Sequence, residues 1–238
     1  ARAGKSAEAS AAAEQFVSYF PNSEYAGPMQ LQLGASRFAA GDYMRAATDF
    51  TSVLNDSTAP EVKSAAQYNL ALCHRMLGEP DKAVEMLQAY RKQRPKDERS
   101  AEIAHQLGII HEEAGRFKEA SSEYNNALAC KMPGAALCEV RYRLGLCREK
   151  VGDDKGAIAI YSLAASYSAK PDSYRLSAIA HSAALYEKHK DYPNALAAYR
   201  DLIKHATDPE IVVAAKERAH ELLSGNEKGN VQKSSVSQ

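Results

Sequence analysis

The chain has no tryptophan, only four cysteines and, among its 238 residues, only ten Val, eight Ile and four Thr. Poverty in β-branched residues removes the side chains that fill pleated, half-buried strands and leaves an alanine-rich remainder suited to helices. An all-α fold is the first expectation. Long apolar runs are missing too: each breaks after a handful of residues, far short of the roughly 20 that a membrane-crossing helix needs. Direct membrane insertion is therefore not expected. Net charge is also lacking, with 30 Lys+Arg against 30 Asp+Glu. That balance takes away the electrostatic footprint of a polyanion binder and argues against nucleic acid as a partner, although a local basic patch is compatible with it.

Catalytic patterns are absent as well. Gly4-Lys5-Ser6 imitates the end of a phosphate-binding loop but lacks the earlier glycine, and His111-Glu112-Glu113 lacks the second histidine of a zinc-protease helix, since residue 115 is Gly. No Gly-x-Ser-x-Gly string occurs, and the seven histidines are scattered. The sequence thus offers no catalytic residues, no metal site and no cofactor site, and the chain is expected not to be an enzyme.

What the chain does have is a period. Ala9, Ala46, Ala83, Ala120, Ala157 and Ala195 are separated by 37, 37, 37, 37 and 38 residues. In phase with them run Leu33-Gly34, Leu70-Ala71, Leu107-Gly108, Leu144-Gly145 and Ser182-Ala183, each followed by Gly41, Gly78, Gly115, Gly152 or Lys190. Four residues past each of the last five alanines stands a large side chain: Phe50, Leu87, Tyr124, Tyr161 and Tyr199. Apolar residues recur at helical spacing on both sides of each glycine, so each period reads as a helical hairpin. The glycine ends the first helix in a left-handed residue. The recurrent Gly or Ala marks a close approach of two backbones. By this phase Ala120 is a crossing residue and Glu123 an outward one. Lys190 and Ser182 make the fifth hairpin the loosest.

The combination of Leu-Gly, Gly-x-aromatic-x-x-Ala, an aromatic four residues on and a terminal Pro resembles the tetratricopeptide repeat, and residues 41–54 and 107–128 match it best. The helix-A tryptophan of that family is missing throughout: Gln30, Gln67, Ala104, Arg141 and Ile179 stand in its place. Residues 19–43, with Tyr19-Phe20-Pro21-Asn22-Ser23-Glu24-Tyr25-Ala26, are similar to repeats of bacterial envelope proteins of the Tol-Pal coordinator and outer-membrane assembly lipoprotein type. The resemblance implies a right-handed superhelical solenoid of about 12 helices and leans towards the periplasmic side of a bacterial envelope, the cytoplasm being the alternative.

On this reading residues 1–22 are the second helix of a half-repeat, so that the chain begins within an array. Residues 23–208 form five hairpins, 209–224 a capping helix and 225–238 a disordered tail. Cys73 and Cys147 occupy equivalent core slots. Cys130 and Cys138 flank a short connection and are left open between a disulfide and two thiols.

In such a stack the first helices line a concave groove. Leu31, Phe38, Tyr68, Asn69, Arg75, His105, Glu112, Tyr142, Arg143 and Glu149 fall on it by helical spacing. Tyrosine tips, amides and a few charges suit capture of a protein or peptide segment. Tyr68 and Tyr142 recur at equivalent positions, each with a hydroxyl that needs a partner. Some relatives hold a C-terminal carboxylate with a lysine and asparagines; Asn69 matches one asparagine, but Leu31 stands where the lysine would be, which disfavours that ligand. The expected function is a non-catalytic protein–protein interaction scaffold. The alternative is an assembly subunit of an envelope complex, acting through its outer faces or N-terminal end, with self-association or packing on the rest of a longer parent chain.

Overall fold

A computed structural model describes residues 2–57, 59–166 and 173–235. Among them are twelve α-helices and no strand: α1 (Arg2–Tyr19), α2 (Ala26–Ala39), α3 (Tyr43–Asp56), α4 (Pro60–Met76), α5 (Pro80–Gln93), α6 (Ser100–Glu113), α7 (Phe117–Leu128), α8 (Gly134–Lys150), α9 (Asp154–Ala165), α10 (Ser173–Lys188), α11 (Tyr192–His205) and α12 (Pro209–Ser235). The fold is an all-α repeat fold. It comprises two compact units, residues 1–114 with α1–α6 and residues 115–238 with α7–α12, and each is described by itself.

Three hairpin turns are built by a left-handed residue followed by a capping aspartate, whereas Glu79 after Gly78 makes no side-chain cap to α5. In unit 1, Gly41 has φ +83° and Gly78 φ +75°. The amide of Gly41 donates to the carbonyl of Phe38 and that of Asp42 to Arg37, the paired bonds that close a helix end around a left-handed residue. Asp42 then serves as N-cap of α3, its carboxylate accepting from the Arg45 amide at 3.2 Å. Gly152 and Asp153 repeat both roles in unit 2, with Asp153 accepting from the Gly156 amide at 2.9 Å. So does the hairpin that the sequence marks as loosest. Lys190 has φ +60°, its amide donates to Glu187 and that of Asp191 to Tyr186, both at 2.8 Å. The turn is retained because the bonds that close it around Lys190 are main-chain, and Asp191 still caps α11 by accepting from the Asn194 amide at 3.4 Å. Lys190 bears the strain.

Unit 1 holds two successive cores. Ala46, Phe50, Val53, Ala66, Leu70 and Cys73 join α3 to α4, with Leu31 and Phe38 of α2 packed against them. Tyr68, Ala71, Ala83, Leu87, Tyr90, Ile103, Leu107 and Ile110 join α4, α5 and α6. Arg37 ties in α1: one nitrogen donates to the buried Asp49 at 2.5 Å and the other to Glu14 of that helix. In unit 2, Cys138, Ala157, Tyr161, Ala164, Ala178 and Leu185 link α8, α9 and α10, and Ile179, Leu202 and Ala215 link α10, α11 and α12.

Two expectations change, and one left open is decided. Glu123 is 8% exposed rather than outward, its carboxylate accepting from Asn126 at 3.1 Å. It takes the i+3 slot of a stripe formed by Ala120, Glu123, Tyr124 and Ala127, as Asp49 does in the stripe that Ala46 begins. The stripe is wide enough to include i+3 as well as i+4. Helix α12 continues to Ser235, eleven residues past the expected cap. Gly225 and Gly229 weaken a helix there, but no proline stops it. The last three residues of the expected tail lie outside the described residues. Cys130 and Cys138 are thiols rather than a disulfide, Cys138 being buried with its Sγ directed to the Ala164 carbonyl at 3.7 Å.

A non-glycine residue in the left-handed region costs about 1–2 kcal/mol, offset in part by the greater freedom of an unfolded glycine. Lys190→Gly should therefore stabilise the chain by about 1 kcal/mol, and Gly152→Ala, which meets nothing within 4 Å, should destabilise it by about as much through the backbone alone. Urea unfolding of the two variants beside the native chain checks both signs.

Candidate partner-binding faces

The residues expected along one groove have different surroundings. In unit 1, Leu31 and Phe38 are half-buried against the α3–α4 core, and the Phe38 ring packs edge-on to Tyr43 at 5.2 Å. Tyr68 is 7% exposed and its hydroxyl donates to Glu102 of α6 at 2.7 Å. Burial, then the bonded carboxylate, raises its phenol far above the ordinary range. Its hydroxyl is thus used within the chain, because α6 presents an acceptor opposite it. Arg75 makes a two-pronged contact to Glu113, 2.9 Å on each prong, and reaches Gln106 at 3.1 Å. Asn69, His105 and Glu112 are half-buried on the same helices.

Unit 2 brings two of its three expected residues, Tyr142 and Glu149, against one side chain, His181. Tyr142 of α8 has its ring centroid 5.8 Å from Tyr174 and 5.8 Å from His181, both on α10, and 6.1 Å from Tyr161 of α9. Tyr142, Tyr174 and His181 are all half-buried, so the row keeps an accessible side. Seven residues separate Tyr174 from His181, two helical turns, which sets Tyr142 between them. Glu149, seven residues after Tyr142, accepts from the Tyr161 hydroxyl at 2.9 Å and lies 3.0 Å from His181 Nδ1. Arg143 is bound to Glu139 on its own helix at 2.8 Å.

The participation of Tyr161 and Tyr174 is not evident from the groove assignment. For Tyr161 a signal exists. Glu149 precedes it by 12 residues, and Glu187 precedes Tyr199 by the same interval in the next hairpin, where that hydroxyl again donates to that carboxylate. A tyrosine that crosses the first helix therefore has its acceptor built into the same hairpin. Tyr174 carries no such mark, its equivalent one repeat earlier being Ala136.

Two carboxylates of unit 2 are held in the charged form. The ammonium of Lys188, then the ring of His189, holds Asp154 below its ordinary 3.8. Burial works against Glu187, but the bonds from Arg218 and Tyr199 prevail and bring it below its ordinary 4.5. Groups depressed on folding stabilise the native state above their unfolded pKa, and that contribution is lost as the pH falls through the folded value. The melting temperature should accordingly drop as the pH is lowered from about 5 to about 3. Glu187→Gln should flatten part of that drop, whereas the exposed Glu217→Gln should leave its slope unchanged.

Among the described residues no three His, Cys, Asp or Glu side chains converge as a metal site, and no helix is long and apolar enough to cross a membrane. What the faces offer is a set of half-buried rings, amides and ionic groups, a surface chemistry suited to non-covalent contact with a polypeptide.

The sequence profile of the tetratricopeptide repeat-like domain matches residues 1–144. Among solved structures, a tetratricopeptide repeat protein from Parabacteroides merdae is 16% identical, with 96% of this chain and 83% of that one covered at a TM-score of 0.64. YrrB, a TPR protein with an unusual peptide-binding site, is 14% identical, covering 86% of this chain and 99% of its own at 0.63. MamA is 19% identical, covering 76% and 92% at 0.62. At such identities the likeness establishes the fold. Comparison with curated proteins gives no match.

Proposed function

Since the chain belongs to the tetratricopeptide repeat-like family, we propose that it is a non-catalytic scaffold that holds a segment of a partner protein against the faces of its first helices. Folds of this type generally mediate protein–protein interaction. YrrB, with its peptide-binding site, shares the fold at low identity. The observation that carries the reading is the half-exposed row of Tyr142, Tyr174 and His181, closed at one end by the Glu149 carboxylate. Rings fixed in this way lose little entropy on binding and present large contact areas, the usual character of residues that dominate an interface. In unit 1 the corresponding contacts fall to Asn69, His105 and Glu112, on helices whose tyrosine and arginine are already engaged within the chain. The concave arrangement of these faces and a place in a bacterial envelope, which the Tyr19–Ala26 string supports, belong to the same proposal.

A second reading has an observation of its own. Near the N-terminal end Tyr19, Phe20 and Tyr25 are 75%, 57% and 58% exposed, and a cavity of about 410 Å³ is lined by Ala13, Phe16, Met29 and Leu33. An assembly subunit would use such an end to pack against another protein or a second copy.

The test is selection from a display library of random peptides of about 12 residues, a length that spans several helix faces in extended form. The scaffold reading predicts enriched peptides whose affinity falls about tenfold or more on Tyr142→Ala, with the melting temperature recorded to show that the variant folds. Failure to enrich any peptide, or selected peptides that are all indifferent to Tyr142 and are lost instead on Phe16→Ser, would contradict it and favour the second reading.

A further inference from the structure

The Glu–Tyr pairing of unit 2 occurs twice, with a different third member each time. In the α10–α11 hairpin, Glu187 accepts the Tyr199 hydroxyl and is clasped by Arg218 of α12. Arg218 Nε stands 3.0 Å from Oε1 and 2.9 Å from Oε2, and Nη2 stands 2.5 Å from Oε2. In the α8–α9 hairpin the same positions, 38 residues earlier, are Glu149 and Tyr161, while the slot of Arg218 is filled 37 residues earlier by His181. Imidazole is shorter than a guanidinium and reaches with one nitrogen. Its contact and that of the Tyr161 hydroxyl both fall on Glu149 Oε2. Oε1 has no partner among the described residues, no Lys or Arg is paired with the carboxylate there, and the side chain is 32% exposed. Beside it stands the half-exposed ring of His181, and the rings of Tyr142 and then Tyr174 continue the row away from it.

We infer that this recess takes the guanidinium of an arginine side chain supplied by the partner polypeptide. The arginine pairs with the open Oε1 side of Glu149, as Arg218 pairs with Glu187, and its plane lies against the His181 ring with Tyr142 next along the row. A guanidinium matches a carboxylate with two parallel donors and stacks on aromatic faces, both of which an ammonium does less well. The chain's own nearby arginines are committed elsewhere: Arg143 to Glu139, and Arg175 to the Ala165 carbonyl at 2.8 Å. An acidic side chain would meet Glu149 and be repelled. The inference rests on the scaffold reading and names the partner chemistry of one of its faces.

The probe is N-acetyl-arginine amide, titrated into isotope-labelled protein and followed by NMR, with the lysine, norleucine and glutamate amides as comparisons. The arginine probe should give saturable shifts at His181 and Tyr142, the lysine probe a site about threefold weaker or more, and the other two none. Glu149→Gln, which keeps an acceptor for Tyr161, should weaken arginine binding about tenfold. His181→Arg should supply the arginine from within, abolishing the shifts and raising the melting temperature, a readout independent of any partner. No saturable shifts in the native chain, equal shifts with norleucine, or full binding in Glu149→Gln would overturn the inference. Library peptides that bind the first-helix faces with no need of a basic residue would overturn it while leaving the scaffold reading in place. Arginine shifts without any selectable peptide would do the reverse.

Discussion

Everything in each hairpin depends on how closely a large side chain of the second helix can cross the backbone of the first. At Gly145 a Cβ would come within 2.3 Å of the Tyr161 ring, and at Gly34 within 2.7 Å of Phe50. Both rings are fully buried. Where the crossing residue is the smaller Leu87, the first helix carries Ala71, and both are again fully buried. The two positions trade volume, as close packing requires. Ala183 opposite Tyr199 breaks the trade, and Tyr199 is correspondingly only half-buried.

The electrostatic features follow from that crossing. A tyrosine crossing the small residue of the first helix carries its hydroxyl to the glutamate four residues further along that helix, Glu149 from Gly145 and Glu187 from Ala183. The glutamate then faces the next first helix in the stack, which answers with His181 in one case and Arg218 in the other. Burying a large ring contributes about 1.5–3 kcal/mol and a hydrogen bond about 1 kcal/mol net. The apolar crossing therefore fixes the hairpin, and the polar contacts set how successive hairpins meet. They also decide which carboxylate is compensated within the chain and which stays open to a partner.

The period, the glycine turns and the all-α character are legible in the sequence because each depends on residues within one repeat. Fates decided by the neighbouring repeat are not. Tyr68 and Tyr142 are spaced as equivalents, yet Tyr68 is buried against Glu102 and Tyr142 sits in an aromatic row with Tyr174 and His181. The difference lies on the next first helix, outside the repeat that contains the tyrosine. Glu123 misleads for another reason: a charged residue reads as outward, whereas its i+3 position from Ala120 places it in the buried stripe. Lys190 shows the opposite case, a residue unsuited to its turn that adopts the turn because main-chain bonds impose it. The 12-residue interval between glutamate and tyrosine is visible in the sequence, but it acquires meaning only once the crossing geometry shows where the hydroxyl ends.

The central claim is that first-helix residue and crossing side chain are energetically one unit. A double-mutant cycle on Gly145→Ala and Tyr161→Leu, followed by urea unfolding, measures it directly. Gly145→Ala alone should cost about 1–3 kcal/mol by overpacking, and Tyr161→Leu alone a comparable amount by leaving space. Together they recreate the Ala71–Leu87 combination, so the double variant should be more stable than the sum of the two losses predicts by about 1 kcal/mol or more. Losses that add to within about 0.3 kcal/mol would show that the two positions act independently and would contradict the account.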